Sequence, residues 1–178
     1  VAAAAAYFGV PATIIMPADA PQIKIANTKT LGAMVVLYDR NTDDREAIGL
    51  KLAHEHNLTL IPPYDDVDII AGQGTLGLEA AHQLEALNLI PDQAIGPIGG
   101  GGLMSGSATA LKHHFPSITL WGAEPAGHDD AARSIAAGRR LANKNSPTSI
   151  CDAIVTPMVG DLTFPIMQRY LAGAKPVS

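Results

Sequence analysis

Cysteine is nearly missing from this sequence: Cys151 stands alone among 178 residues. One thiol excludes an intrachain disulfide framework, and a CxxC metal or redox motif would need a second. A reducing cytoplasm is the compartment that fits, and Cys151 itself reads as a small buried hydrophobe. A surplus of positive charge is missing too. Twelve lysines and arginines face seventeen acids, for a net charge of -5 and a pI near 5.6, and the basic residues are scattered along the chain. A nucleic-acid partner is not expected from that balance. The alanine-rich opening Val1 to Phe8 is too short to cross a membrane, and no charged lead-in marks it as a signal peptide. It begins with no cap, as the inside of a helix would, so truncation is expected there. The end at Pro176-Val177-Ser178 is equally abrupt, following a helical pattern without a closing element.

What is present is apolar patterning. Hydrophobic residues make up 47% of the chain, enough for one medium domain or two small lobes that each bury a core. Ala12 to Met16 and Ala33 to Leu37 are short, β-branched, apolar runs that read as buried strands. Between them Pro21 suits a first helical position, Ile23, Ala26 and Leu31 share a face, and Gly32 suits a stop. Asn41 or Thr42 is expected to cap the next helix, with acids in its first turn and His54 and His56 in its last. Leu58 to Ile61 reads as a third strand. Pro62-Pro63 resists helix and inner strand alike, so the boundary between two lobes, 1–63 and 64–178, is placed there. Beyond it the pattern predicts a helix over 75–87, a strand over 94–98, a helix over 103–114, a strand over 119–123 with Trp121 packed in it, and a helix over 131–137. Strands separated by long helices pair in parallel, so the fold class is α/β.

At one junction the pattern concentrates. Ala94-Ile95-Gly96-Pro97-Ile98 runs into Gly99-Gly100-Gly101-Gly102, and Leu103-Met104-Ser105-Gly106 opens a helix. Four glycines remove every Cβ from the turn and let successive N–H groups converge on one anion, to which the helix adds its positive end. Such a loop suits a phosphate, although plain tight turns also use glycine runs. A Walker loop is excluded, because Gly102-Leu103-Met104 stands where Gly-Lys-Ser/Thr is needed. A dinucleotide fingerprint stays open, since Glu124 lies at the right distance to meet a ribose. A non-catalytic module binding phosphate or a small ligand also stays open.

With its neighbours the loop resembles a family. Gly99 to Leu103 with Gly106, the upstream Ile70-Ala71-Gly72-Gln73-Gly74-Thr75, the early Gly9-Val10-Pro11 and Pro17-Ala18-Asp19-Ala20-Pro21 with Lys24 and Gly32-Ala33, and Glu124-Pro125 occur in the order found in fold-type II pyridoxal-phosphate (PLP) enzymes of the threonine dehydratase and serine racemase family. The resemblance covers essentially the whole chain. It implies a tryptophan-synthase-β-like fold of parallel sheets with flanking helices, here a partial small lobe (1–63) and a partial large PLP-binding lobe (64–178). It implies a serine/threonine dehydratase, an ammonia-lyase acting on small β-hydroxy amino acids, with serine racemase or 3-hydroxyaspartate dehydratase as variants and a homodimer as an arrangement open to the intact protein. Gly99, Gly100, Gly101, Gly102 and Leu103 would hold the cofactor phosphate.

The resemblance also names what is absent. The family's Schiff-base lysine and its substrate-carboxylate loop would lie before Val1, and the hydroxyl that meets the pyridine nitrogen beyond Ser178. No catalytic residue is therefore assigned in this chain, which alone is expected to be inactive. Lys24, Lys29, Lys51, Lys112, Lys144 and Lys175 match no catalytic context and read as solvated surface. Around Glu124-Pro125-Ala126-Gly127-His128-Asp129-Asp130 two readings stand. His128, Asp129 and Asp130 can cap the helix that follows. By resemblance to serine racemase-like members, Glu124, the main-chain carbonyl of His128 and Asp130 would hold a divalent cation, and oxygen ligands of that kind suit magnesium or calcium. Ala153 stands where many relatives place a glycine beside the cofactor ring.

Overall fold

Parallel neighbours need a crossover connection, usually a helix, and every strand pair among the described residues is parallel. The computed structural model describes residues 1–143 and 149–178, so the expectation for Lys144 lies outside the described residues. The chain divides into two compact units, Val1–Ile61 and Pro62–Ser178.

The first unit opens with α1 (Ala2–Phe8), which Gly9 ends at φ 65 by returning its N–H to the last carbonyls. It continues with β1 (Thr13–Pro17), α2 (Gln22–Thr30), β2 (Met34–Tyr38) and α3 (Arg45–His56). β1 and β2 pair from Thr13 opposite Met34 to Pro17 opposite Tyr38. Pro21 occupies the cap position of α2, one residue outside the helix. The cap of α3 is neither Asn41 nor Thr42. Asp44 accepts the amides of Glu46 and Ala47 at 2.9 and 3.1 Å, while Asn41 and Thr42 bond to Asp39 and Asp43. The third strand expected over Leu58 to Ile61 does not form. A strand needs a ladder partner, and β1 and β2 are paired with each other; Leu60 instead lays its side chain over Gly49.

The second unit contains α4 (Val67–Ala86), β3 (Gln93–Pro97), α5 (Gly102–His114), β4 (Thr119–Pro125), α6 (Asp130–Ala137), a 3₁₀ turn at Asp152–Ile154, α7 (Thr163–Tyr170) and β5 (Leu171–Val177). Its sheet runs β3-β4-β5 with β4 central. α4 begins well before Thr75, because Asp66 caps it by accepting the amides of Asp68 and Ile69. Ile70 to Thr75 thus lies inside the helix. β5 is a closing strand that the expectation of a helical end missed. Its Gly173 and Pro176 are poor strand formers, and Pro176 is tolerated because β5 is an edge among the described strands. Ile98, Met104, Ala108, Ile118, Leu120 and Met167 form the centre of the core between sheet and helices.

α4 and α5 cross at backbone distance. A Cβ added at Gly106 would collide with Ile70 O and Gly74 N, and one at Gly77 would meet Ser107 O at 2.5 Å and Ser107 Cα at 2.8 Å. The glycines of the Gly72 to Gly77 stretch that face α5 are therefore packing residues, and they fix where the start of α5 lies. Two other expectations are corrected. Cys151 is exposed, since it lies in an irregular segment before the 3₁₀ turn. Lys112 is half-buried, its ammonium donating to Pro116 O and Ile118 O at 3.2 and 2.5 Å past the end of α5.

Candidate functional site

At the carboxyl end of β3 the ladder continues one residue, with Ile98 N donating to Ala123 O at 2.8 Å. The chain then turns through Gly99, Gly100 and Gly101 and enters α5 at Gly102, with Gly101 at φ 95. That positive φ is open to glycine at little cost. Among the described residues, the amides of Gly99, Gly100, Gly101, Gly102 and Leu103 donate to no protein acceptor. The last two are first-turn amides with no intrahelical partner, and the α5 dipole adds positive potential where they lie.

Protein packs against every glycine of the run. A Cβ at Gly99 would lie 3.1 Å from Ile154 Cα, and one at Gly100 would run into the Tyr64 ring. At Gly101 it would meet Met167 and Thr163 within 2.7–2.9 Å, and at Gly102 Tyr64 Cβ at 3.0 Å. The glycines are thus required by close packing as well as by any ligand. The Gly100 carbonyl accepts Thr163 Oγ1 at 2.6 Å and Gly160 N at 3.1 Å, so the loop is bonded as well as packed. Unpaired amides on a loop fixed in this way fit the demands of a phosphate, which needs donors preorganised and not spent on protein.

The carboxyl end of the neighbouring strand β4 holds the acidic turn. Glu124 is 1% exposed, and its oxygens accept Ala132 N at 2.8 Å and Ala131 N at 3.1 Å. It therefore caps α6 from the strand. The expected cap by His128, Asp129 and Asp130 is not made: Asp129 bonds Arg133 at 2.7 Å, and Asp130 receives Asn143 Nδ2 at 2.7 Å on Oδ1. His128 is buried, its amide turned back to Pro125 O at 2.8 Å. Burial pushes the Glu124 carboxyl up to about 7; the Ala132 and Ala131 bonds oppose it, and the charges of Asp130 and Asp129 add to it. Burial also raises Asp130, against its bond from Asn143. Asp130 Oδ2 is buried and makes no hydrogen bond among the described residues. Two buried carboxylates with one oxygen unbonded suit a hard cation. Among the described residues no group of three or more His, Cys, Asp or Glu is placed to hold a metal, so the His128 carbonyl would have to take part.

Comparison with known proteins decides the family. A model described as pyridoxal-phosphate dependent enzyme matches residues 1–178. The chain belongs to the pyridoxal-phosphate dependent enzymes. Among curated relatives of this PLP family, an L-threo-3-hydroxyaspartate ammonia-lyase of Saccharomyces cerevisiae is 44% identical over 172 residues, covering 95% of this chain and 50% of that protein. A serine racemase of Schizosaccharomyces pombe is 39% identical, covering 95% of this chain and 51% of that protein. The crystal structure of a T.th. threonine deaminase superposes with a TM-score of 0.90 at 41% identity, over 99% of this chain and 57% of that one. The PLP-family chain thus spans about half the length of the curated relatives it matches. Its fold is that of fold-type II PLP enzymes, α/β with parallel sheets.

The structure brings Gly99 to Leu103 together on one loop, and Glu124, His128 and Asp130 together on one turn, at the carboxyl ends of adjacent strands. That is where parallel α/β sheets place ligands. Glu124 is buried with each oxygen taking one α6 amide, and the family match over the whole chain favours pyridoxal phosphate over the dinucleotide reading. Ala153 lies in the 3₁₀ turn whose Ile154 packs on Gly99, so the segment carrying it does adjoin the loop. Sequence reasoning missed Tyr64, Asp65 and Thr163. Their partners lie dozens of residues away, and no local spacing signals that.

Proposed function

We propose that this chain is part of a serine/threonine dehydratase-like ammonia-lyase acting on small β-hydroxy amino acids, and that its amides from Gly99 to Leu103 hold the phosphate of PLP. The observation that carries the reading is the set of amides unpaired among the described residues, on a loop whose Gly100 carbonyl is bonded to Gly160 and Thr163. When bound, PLP supplies a sink for the electrons left at the substrate α-carbon. This chain's own contribution is to bind and orient: charge-assisted N–H bonds fix the phosphate, and the start of α5 adds its positive end. Serine racemization or 3-hydroxyaspartate dehydration is the near variant, supported by relatives so named at 39% and 44% identity. PLP titrated into the full-length protein should bind in competition with inorganic phosphate, and ammonia should be released from serine, threonine or threo-3-hydroxyaspartate. Absence of PLP binding would sink the reading.

Within it, residues 1–63 are part of the small lobe and 64–178 part of the large one, and the intact protein works in the cytoplasm as a homodimer; an oxidising location or a monomer by light scattering would count against that clause. The chain alone is inactive on this reading, because none of its lysines stands in the family's catalytic context. Borohydride trapping of PLP on any of them would overturn that. Glu124, Asp130 and the His128 carbonyl hold magnesium or calcium, supported by the unbonded, buried Asp130 Oδ2. Either ion should raise the melting temperature of the full-length protein, and Asp130→Asn should abolish the rise; an unchanged melting curve counts against the site.

A further inference from the structure

Beside the glycine loop sits a side chain that the motif does not include. Thr163 is wholly buried, and its hydroxyl donates to Gly100 O at 2.6 Å while accepting Gly160 N at 3.0 Å. The Gly160 amide reaches Gly100 O as well, at 3.1 Å. A trans peptide is planar and points its C=O and the next N–H to opposite sides. Holding Gly100 O toward Thr163 therefore holds the Gly101 N–H facing the other way, and that N–H is one of those with no acceptor among the described residues. Between two glycines the peptide has little restraint of its own, since neither flanking residue has a Cβ, and its orientation depends on the bonds to its carbonyl. Rotation would present a carbonyl oxygen in place of a donor, and the oxygen would repel an anion.

Thr163 is itself held from several sides. Asp65 Oδ1 accepts Leu162 N at 2.8 Å and Thr163 N at 3.3 Å, and Asp65 Oδ2 accepts Asp161 N at 2.8 Å. Arg140 donates to Val159 O at 3.2 Å and pairs with Asp161. Ser105, in the first turns of α5, donates to Thr163 O at 3.2 Å. The start of α7 is thereby fastened to α5 by the buried Ser105 bond and to the segment before α4 by Asp65, and Thr163 is the point where that fastening reaches the loop.

We propose that Thr163, held in place by Asp65, is a positioning residue that fixes the Gly100–Gly101 peptide with its N–H toward the phosphate. The inference rests on the reading of this loop as the cofactor-phosphate site. Thr163 touches no ligand; it acts through Gly100. Removing its hydroxyl leaves Gly100 O with the Gly160 bond alone, so the peptide loses its stronger restraint and the donor array loses definition.

The experiment compares PLP with pyridoxal, which lacks the phosphate, on the full-length protein by fluorescence titration. Wild type should prefer PLP. Thr163→Val should weaken PLP binding by about tenfold, equal to ~1.4 kcal/mol, while pyridoxal binding stays within about twofold. Thr163→Ser, which keeps the hydroxyl, should restore the preference. If Thr163→Val lowers both affinities equally, or leaves the preference intact, Thr163 is only a packing residue and the inference is overturned with the phosphate reading untouched. If wild type shows no preference for PLP over pyridoxal, the phosphate reading itself fails and takes the inference with it. Asp65→Asn places an amide against the Asp161 N–H; it is read in the same way should Thr163→Val not fold, and it decides on the same two outcomes.

Discussion

The carboxylate of Glu124 has a structural task before any ligand is considered, which is to close the first turn of α6. It performs that task from a buried position, and burial pushes its pKa up to about 7, well above that of an exposed glutamate. The consequence for stability has a definite sign. Between pH 4.5 and about 7 the unfolded chain has released this proton while the folded chain still holds it. Stability therefore falls as pH rises through that window and levels off above it, by on the order of 3 kcal/mol. Glu124→Gln should flatten that slope in denaturant titrations run at several pH values. It should also cost about 1 kcal/mol at low pH, because one of the two amide acceptors is lost. A divalent cation at the proposed Glu124–Asp130 site would favour the ionised form, so if that site binds, adding one should reduce the slope in wild type. A wild-type slope of the opposite sign in this window would mean that the capping bonds outweigh burial.

At the scale of elements, the meeting of α4 and α5 decides where the glycine loop can be. The two helices approach closely enough that Gly77 and Gly106 have backbone, rather than flexible side-chain ends, where a Cβ would go. Replacing a helical glycine by alanine ordinarily gains up to ~1 kcal/mol through helix propensity. At Gly77 the new methyl would meet Ser107 O at 2.5 Å, and neither helix can yield without moving the start of α5. Overpacking of that kind costs about 3 kcal/mol, which outweighs the propensity gain. Gly77→Ala should therefore lower the denaturation midpoint. Gly72→Ala, on the same helix with nothing within 4 Å, should raise it slightly. Equal effects at both positions would refute the close-approach argument.

At the scale of the whole molecule, legibility in sequence followed the range of the interactions. β1 and β2 were readable because apolar β-branched runs between turn residues encode a strand locally, β3 and β4 because short runs between two helical patterns leave a strand as the connecting element, and the loop from Gly99 to Gly102 because four glycines mark a turn. The cap of α6 was misread because its acceptor, Glu124, lies on the preceding strand and not at the helix start. The strand expected at Leu58 to Ile61 failed and β5 was missed for one reason: pairing depends on a neighbour that composition does not reveal. Asp65 and Thr163 were invisible for the same reason, since Asp65 meets Leu162 across nearly the whole second unit.

The same long-range bonds set what a bound phosphate should do to the molecule's dynamics. The amides of Gly99 to Leu103 have no acceptor among the described residues, so in the free protein they lack the hydrogen bonds that slow amide exchange. A phosphate that engages them should protect them directly. It should also slow exchange at Gly160, Asp161, Leu162 and Thr163, whose amides bond to Gly100, Thr163 and Asp65, because those bonds and the loop open as one unit. Binding at about 100 times Kd adds ~2.7 kcal/mol to the stability of whatever unit carries the site. Hydrogen exchange of the full-length protein with and without PLP should therefore show protection gained at both segments together. Protection at the glycine loop alone would show that the α7 fastening opens independently of it.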